Sequence, residues 1–365
     1  MASSGSLSGK ILTVTGPISP DQLGTTHTHE HAVMDYEFMY IDVEKEAVRQ
    51  IEREPMTLQN HGWVKQHPYS NRQNLQLYGN DWYSAVEEDL KFFKKNGGNS
   101  IVECTTMGIG RNIKKLKELS ESSGINIISG TGFYLPGILI TPDRPNKEIL
   151  SSLNQKSEEE ISAMLVSDIM EGADGTDVRC GVIGEVAISH PMTEVEKTVI
   201  KAVASAQNQL GCPVIFHPED FRQCPFDIMR IFQEAGGLCE KTVMSHLDYI
   251  FFKPEDYLEF AEFGTYLELD FFGIETSNWD YTSGIDFIND AQRIQLVKKI
   301  TEEGLSDRVV IAHDVHTRHR LMKFGGHGYS HILLNVVPKM LKRGIFQETI
   351  DKILTDNPKR WLTFK

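Results

Sequence analysis

The sequence is short of what nucleic-acid binders and membrane proteins require. Its 37 Lys and Arg are outnumbered by 51 Asp and Glu, a formal charge of −14, so the basic footprint of a nucleic-acid binder is missing. No stretch reaches the roughly 18 consecutive apolar residues of a membrane span. The opening residues, MASSGSLSGK, lack the apolar core of a secretory signal, and the closing RWLTFK carries no lipidation or retention signal. The five cysteines (Cys104, Cys180, Cys212, Cys224 and Cys239) contain no C-x-x-C pair and are odd in number. That argues against a disulfide framework and for reduced thiols. These absences point to a cytoplasmic protein of the cytosol, with neither nucleic acid nor membrane as partner.

What is present is a regular alternation. Short Val/Ile-rich runs at Thr25–His29, Ile101–Thr105, Ile125–Gly130, Gly181–Val186, Pro213–His217, Thr242–His246, Tyr266–Asp270 and Arg308–His313 read as eight strands. Most are continuous rather than alternating, the pattern of a parallel sheet covered on both faces. Amphipathic helical patterns fill the gaps at Trp82–Lys95, Asn112–Ser120, Glu158–Glu171, Glu194–Leu210, Pro225–Ala235, Pro254–Phe263, Asp290–Glu303, Tyr329–Arg343 and Gln347–Leu354. The expected fold is α/β, a (β/α)8 TIM barrel, with a doubly wound sheet as the alternative. Residues 1–365 read as one domain, with 1–10 a flexible N-terminus. Two segments break the repeat. Residues 32–80 hold a short helix at Val43–Arg53 and a polar loop, and 271–289 form a long aromatic connection, a candidate lid.

The chemistry concentrates in Thr26-His27-Thr28-His29-Glu30-His31. Strand alternation would put His27, His29 and His31 on one face, where two imidazoles can grip one ion. The motif itself does not say which pair binds. Later strands end in Glu185, His217, His246 and His313-Asp314. A single histidine at a strand end is commonly a hydrogen-bonded structural residue. Four polar strand ends on the C-terminal rim of a barrel, where active sites lie, imply a site. Imidazole and carboxylate donors suit Zn²⁺, with Mn²⁺, Fe²⁺ or Co²⁺ as alternatives. Six ligands suit two divalent ions sharing a carboxylate and holding a hydroxide between them. Glu185, half-way round the barrel, is then the natural bridge, and Asp314 the natural proton acceptor.

These residues resemble the phosphotriesterase family of the amidohydrolase superfamily. The likeness is carried in order by Gly24-Thr25-Thr26 and His29-Glu30-His31, Ile109-Gly110-Arg111, Gly130-Thr131-Gly132-Phe133-Tyr134, Glu185, His217, His246 and His313-Asp314, over residues 10–365. The tail from Leu321 to Lys365, with Gly325-Gly326-His327-Gly328-Tyr329-Ser330-His331, resembles an animal, phosphotriesterase-related branch of that family. The resemblance implies that His29, His31 and Asp314 hold the more buried ion, with His27 outside the motif, inward or behind the ligands. It implies that His217 and His246 hold the second ion and Glu185 bridges, where many members use a carboxylated lysine. Tyr134 matches a tyrosine near the metals and the leaving group, a catalytic and substrate contact.

For this branch the resemblance implies a metal-dependent amidohydrolase cleaving N-acetyltaurine to taurine and acetate, with N-acetyl amino acids as lesser substrates. Lactonase or phosphotriesterase activity is the alternative, and a non-catalytic metal-dependent binding protein a further one. A barrel isomerase acting on phosphosugars would want a phosphate-binding glycine turn near strands seven or eight, and Gly325-Gly326 is the nearest candidate. The expected partner is a small anionic N-acyl substrate, and a homodimer is among the allowed assemblies. The basic run His316, Arg318, His319, Arg320 and Lys323 offers cations for the substrate's anionic end, Arg320 first.

Overall fold

A computed structural model describes residues 7–42, 54–135, 144–276 and 286–365. Eight parallel strands run in sequential order: β1 (Thr26–Glu30), β2 (Ser100–Glu103), β3 (Asn126–Thr131), β4 (Val182–Ile188), β5 (Val214–Pro218), β6 (Thr242–Met244), β7 (Tyr266–Leu269) and β8 (Val309–Ile311). Each coincides with one of the eight expected runs. The seam between β8 and β1 is drawn together by the Asp314 N–H, which donates to the His29 carbonyl at 3.0 Å. The result is the expected α/β TIM-type barrel with helices outside.

Alternation within the strands separates two apolar layers. Val102, Ile128, Val182, Ile215, Val243 and Val310 fill the barrel interior. Their neighbours Ile101, Ile127, Ile183, Met244, Leu267 and Val309 pack outward with the helices. The interior cluster also includes Ile11, Leu23, Trp361 and Leu362, which close the N-terminal end of the barrel. Trp361 is wholly buried, and its indole N–H donates to the Val214 carbonyl at 3.1 Å. Polar groups therefore collect at the opposite, C-terminal end.

Several helices keep their expected limits because the local signals are strong. Glu194–Leu210 starts on a Thr193–Glu196 capping box and stops at Gly211, which adopts φ +66°. Asp290–Ile300 starts on the matching Asn289–Gln292 box. The expected helix Val43–Arg53 lies outside the described residues, as do residues 277–285 of the long aromatic connection and residues 1–6. The expectation of a flexible 1–10 is narrowed. Gly9 N–H donates to Phe364 O, and Phe364 N–H donates to Lys10 O, both at 2.9 Å, which ties residues 9 and 10 to the C-terminal strand of chain. Among the described residues, no helix is long and apolar enough to cross a membrane.

Trp361→Ala should cost about 3–5 kcal/mol, because it opens a cavity where the barrel interior is closed. Urea unfolding followed by far-UV circular dichroism measures this, and an unchanged midpoint would show that Trp361 closes nothing.

Candidate metal centre

Two triads of donors meet at the C-terminal rim. His29, His31 and Asp314 form one; Glu185, His217 and His246 form the other. Glu185 lies between them. Its Oε1 is 3.6 Å from His31 Nε2. Its Oε2 is 3.5 Å from His29 Nε2, 2.6 Å from His217 Nδ1 and 3.7 Å from His246 Nε2. Asp314 Oδ1 stands 3.2 Å from His31 Nε2 and 4.0 Å from His29 Nε2. All six residues proposed as ligands thus converge.

Local backbone geometry aims them. Gly184, at φ +124°, precedes the bridging carboxylate, and a Cβ there would sit 2.1 Å from the Ile215 carbonyl. Only glycine lets β4 and β5 approach so closely at this point. His246 and Asp314 both lie just past their strands with positive φ, +62° and +51°. Non-glycine residues rarely adopt that conformation, and it concentrates at functional sites.

The ring nitrogens are assigned by their partners. Thr105 Oγ1 donates to Glu103 at 2.7 Å and therefore accepts from His31 Nδ1, 2.9 Å away. His246 Nδ1 is 3.0 Å from Asp270, and His29 Nδ1 is 3.3 Å from Glu268 and 3.4 Å from Asp270. In each case Nε2 is left for the site, the arrangement by which carboxylates and hydroxyls orient metal-ligating imidazoles. His217 instead turns Nδ1 toward Glu185. Glu103, Thr105, Glu268 and Asp270 were not singled out from the sequence. The run Tyr266-Leu267-Glu268-Leu269-Asp270 does carry the signal, since alternation with Leu267 and Leu269 turns both acids inward.

Charge and hydrogen bonding test whether an ion fits. His29 Nε2 and Asp314 Oδ1 are buried without a hydrogen-bond partner, a costly condition unless something else occupies them. Burial alone would raise the Glu185 carboxyl, but His217, His246 and His29 outweigh it and hold it well below the usual carboxylate range. Asp314 is likewise held down against burial by His316, His31 and His29. Against their burial, His31 is pushed up by Asp314 and Glu185, and His29 by Cys104 first and then Glu185 and Glu268. The carboxylates thus draw positive charge into a buried site. A divalent ion would supply that charge and displace any proton the rings carry. The donor set and its unpaired atoms fit a two-metal centre.

Three expectations are corrected. His27 does not share a face with His29 and His31. The pairing register of β1 shifts between His27 and Glu30, and the irregularity turns the side chains out of phase. His27 lies 4.5 Å from the Phe93 ring and 4.6 Å from His313, with Glu30 at 3.5 Å, on the helix side of the barrel. His313 is also turned away: Nδ1 is 2.7 Å from Glu30, and Nε2 accepts the Ile332 N–H at 3.0 Å. Arg320 does not reach the metal pocket. It is buried beside it, donating to the main-chain oxygens of Asp314 and Phe272. Of the rest of the basic run, His316 stays at the pocket with Nδ1 3.0 Å from Asp314 Oδ2, and the others are engaged elsewhere. Arg318 donates to the Gln76 and Tyr78 carbonyls, His319 pairs with Asn74, and Lys323 with Asp81.

The pocket over the six ligands has a volume of about 200 Å³. Tyr134 lines it, its hydroxyl 3.0 Å from Tyr36 and its ring 5.1 Å from His217. The long 32–80 segment, expected to be a functional connection, contributes Met34, Tyr36, Met39 and Tyr69 to its walls. No Lys or Arg lines it among the described residues; Glu219, Asp220 and His316 do.

A family model described as "Phosphotriesterase family" matches residues 9–362. The chain belongs to that family. It is 49% identical over 360 residues to an N-acetyltaurine hydrolase of Xenopus tropicalis and 48% identical over 360 residues to that of Homo sapiens, covering 99% of each chain in both comparisons. Among solved structures, a resiniferatoxin-binding protein from Rhodobacter sphaeroides superposes with a TM-score of 0.89 at 28% identity, over 97% of this chain and 95% of that one. A phosphotriesterase homology protein from Escherichia coli shares the fold, with a TM-score of 0.73 at 22% identity, over 94% of this chain and 99% of that one.

Thr105→Val keeps the packing but removes the acceptor that orients His31. Metal affinity should fall about 10–100-fold, measured by competition with a chromophoric chelator. Unchanged affinity would mean that Thr105 does not set the His31 tautomer.

Proposed function

We propose that this chain hydrolyses N-acetyltaurine to taurine and acetate, with N-acetyl amino acids as lesser substrates. The observation that carries a hydrolytic metal site is the Glu185 carboxylate spanning both donor triads. The taurine amide as substrate is supported by relatives at 48–49% identity over nearly the whole chain. His29, His31 and Asp314 would hold one ion, His217 and His246 the other, with Glu185 shared. Zn²⁺ is the first candidate on the N/O donor set, ahead of Mn²⁺, Fe²⁺ and Co²⁺. When bound, such a pair supplies Lewis acidity to a carbonyl and makes water nucleophilic at neutral pH.

The chain's own groups manage the proton and the oxyanion. Asp314 Oδ1, which has no hydrogen-bond partner, takes the proton of the attacking water and returns it to the leaving nitrogen. An amine leaves only when protonated, so this transfer must accompany C–N cleavage. Burial, then the Tyr36 hydroxyl and Glu185, pushes the Tyr134 phenol well above its usual value, so it stays a hydrogen-bond donor for the developing oxyanion. Five free, buried cysteines fit a reducing compartment, and we assign the enzyme to the cytosol.

Steady-state rates of the metal-loaded protein on N-acetyltaurine, an acyl-homoserine lactone and paraoxon test the assignment. The largest kcat/KM should belong to N-acetyltaurine; a larger value for the lactone or paraoxon overturns it in favour of that activity. Asp314→Asn should lower kcat by roughly 10²–10⁴-fold while metal analysis shows both ions retained. Near-wild-type turnover in that variant removes Asp314 from proton transfer.

A further inference from the structure

A second, cationic chamber lies beside the metal pocket. A cavity of about 230 Å³ is lined by His61, Lys65, His319, Arg320 and His327, and among the described residues no carboxylate lines it. A narrow cleft joins it to the pocket side; Lys65, His319 and Arg320 line both cavity and cleft, and among the described residues the cleft's one carboxylate is Glu275. Tyr69 and His316 line the cleft and the metal pocket alike. Their rings stack at 5.9 Å, and the Tyr69 hydroxyl meets His316 Nε2 at 2.7 Å. That pair is the partition between the two spaces.

Arg320 is the residue that needs explaining. It is 3% exposed. One terminal nitrogen donates to the Asp314 main-chain oxygen. The other donates to Phe272 O at 3.0 Å and meets His327 Nε2 at 3.3 Å, and Nε lies 3.4 Å from the same imidazole nitrogen. Among the described residues, no carboxylate forms an ion pair with it. Two other buried arginines of this protein are paired: Arg293 with Asp248 at 2.6 Å, and Arg111 with Asp174 at 2.7 Å. Its direct partners are carbonyl and imidazole dipoles, while the Asp314 and Glu30 carboxylates act on it from beyond ion-pair distance, so a closer counter-charge would offset the cost of its burial.

The chamber is shaped for a small ligand. Gly273 and Gly325 stand in its wall, and a Cβ on Gly273 would fall 2.3 Å from His327 Nε2, so the missing side chain lets the main chain pack directly against the imidazole that faces Arg320. His61 Nε2 is buried there without a hydrogen-bond partner. Lys65 is exposed at one edge. Burial, then the charge of Arg320, pushes His319 and His327 well below the usual imidazole value. Both rings are therefore neutral and leave Arg320 and Lys65 as the fixed charges.

We propose that this chamber binds a small tetrahedral oxyanion of the sulfate or sulfonate class, held by Arg320 and Lys65. Guanidinium and ammonium donors suit such an anion. Because Arg320 also donates to the main-chain oxygen of Asp314, occupancy bears on the backbone that carries the proton acceptor. The anion has two sources, a free inorganic oxyanion or the sulfonate of the taurine moiety. The second rests on the hydrolase reading; the binding itself does not.

Sodium sulfate titrated into the metal-loaded full-length protein, at ionic strength matched with chloride, tests the site by calorimetry and thermal unfolding. Saturable binding and a raised Tm are expected. Lys65→Glu, at an exposed position where folding is not at risk, should weaken sulfate binding roughly ten-fold or more, and Arg320→Met should abolish it. No saturable binding in the wild type, or equal binding in Lys65→Glu, overturns the proposal. So does sulfate binding that vanishes only when the metals are chelated. Inhibition of N-acetyltaurine turnover then identifies the source: a rise in KM alone assigns the chamber to the substrate's sulfonate, and a fall in kcat alone to a free anion. Bound sulfate that alters neither parameter overturns the coupling to Asp314. If the protein turns over no N-acetyltaurine, the sulfate titration still decides the chamber.

Discussion

The buried Glu185 carboxylate, facing imidazoles from β1, β5 and β6, is the interaction on which the rest depends. A carboxylate at 2% exposure survives in a barrel only if positive charge surrounds it. The histidines answer that need, and they in turn are fixed from behind by Thr105, Glu268 and Asp270. The centre is thus layered: a charge in the middle, nitrogen donors round it, and oxygen acceptors that fix which nitrogen points inward. Removing a member of the outer layer disorders the inner one, because a neutral imidazole has only one lone pair to offer.

This layering also ties chemistry to the architecture. The seam that brings β8 to β1 is the Asp314 N–H on the His29 carbonyl, so two donors of one triad are joined by main chain as well. Glu30, between His29 and His31, accepts the N–H groups of His313 and Val315 at 3.1 Å each. It braces the residues on both sides of Asp314 while its own side chain faces away from the pocket. The motif His29-Glu30-His31 therefore contributes two imidazole donors to the site and one brace behind it.

The strands and the six converging donors were legible in the sequence because each depends on local pattern: continuous apolar runs, each ending in a polar residue. His27 misled because strict alternation assumes an unbroken ladder, and the register shift between His27 and Glu30 leaves no mark in composition. Arg320 misled for a different reason. A basic run reads as surface charge, whereas here the loop folds inward and its members bind the carbonyls of Gln76, Tyr78, Phe272 and Asp314. The pocket walls drawn from Met34, Tyr36, Met39 and Tyr69 follow no period and could be placed only once the segment was folded. The branch of the family came from its motifs taken together, and no single spacing would have named it.

Trp361, Leu362, Ile11 and Leu23 seal one end of the barrel, and that closure has a consequence for traffic. Among the described residues, the stoppered base of the barrel offers no back exit. Whatever enters over the ligands must leave by the same mouth, past Tyr36, Tyr134 and His316. Two product molecules formed from one substrate would then depart in sequence rather than together, and the slower of them would hold the doorway against the next arrival. In such a vessel the pace of emptying, set by the walls of the mouth, limits throughput as directly as the speed of bond cleavage.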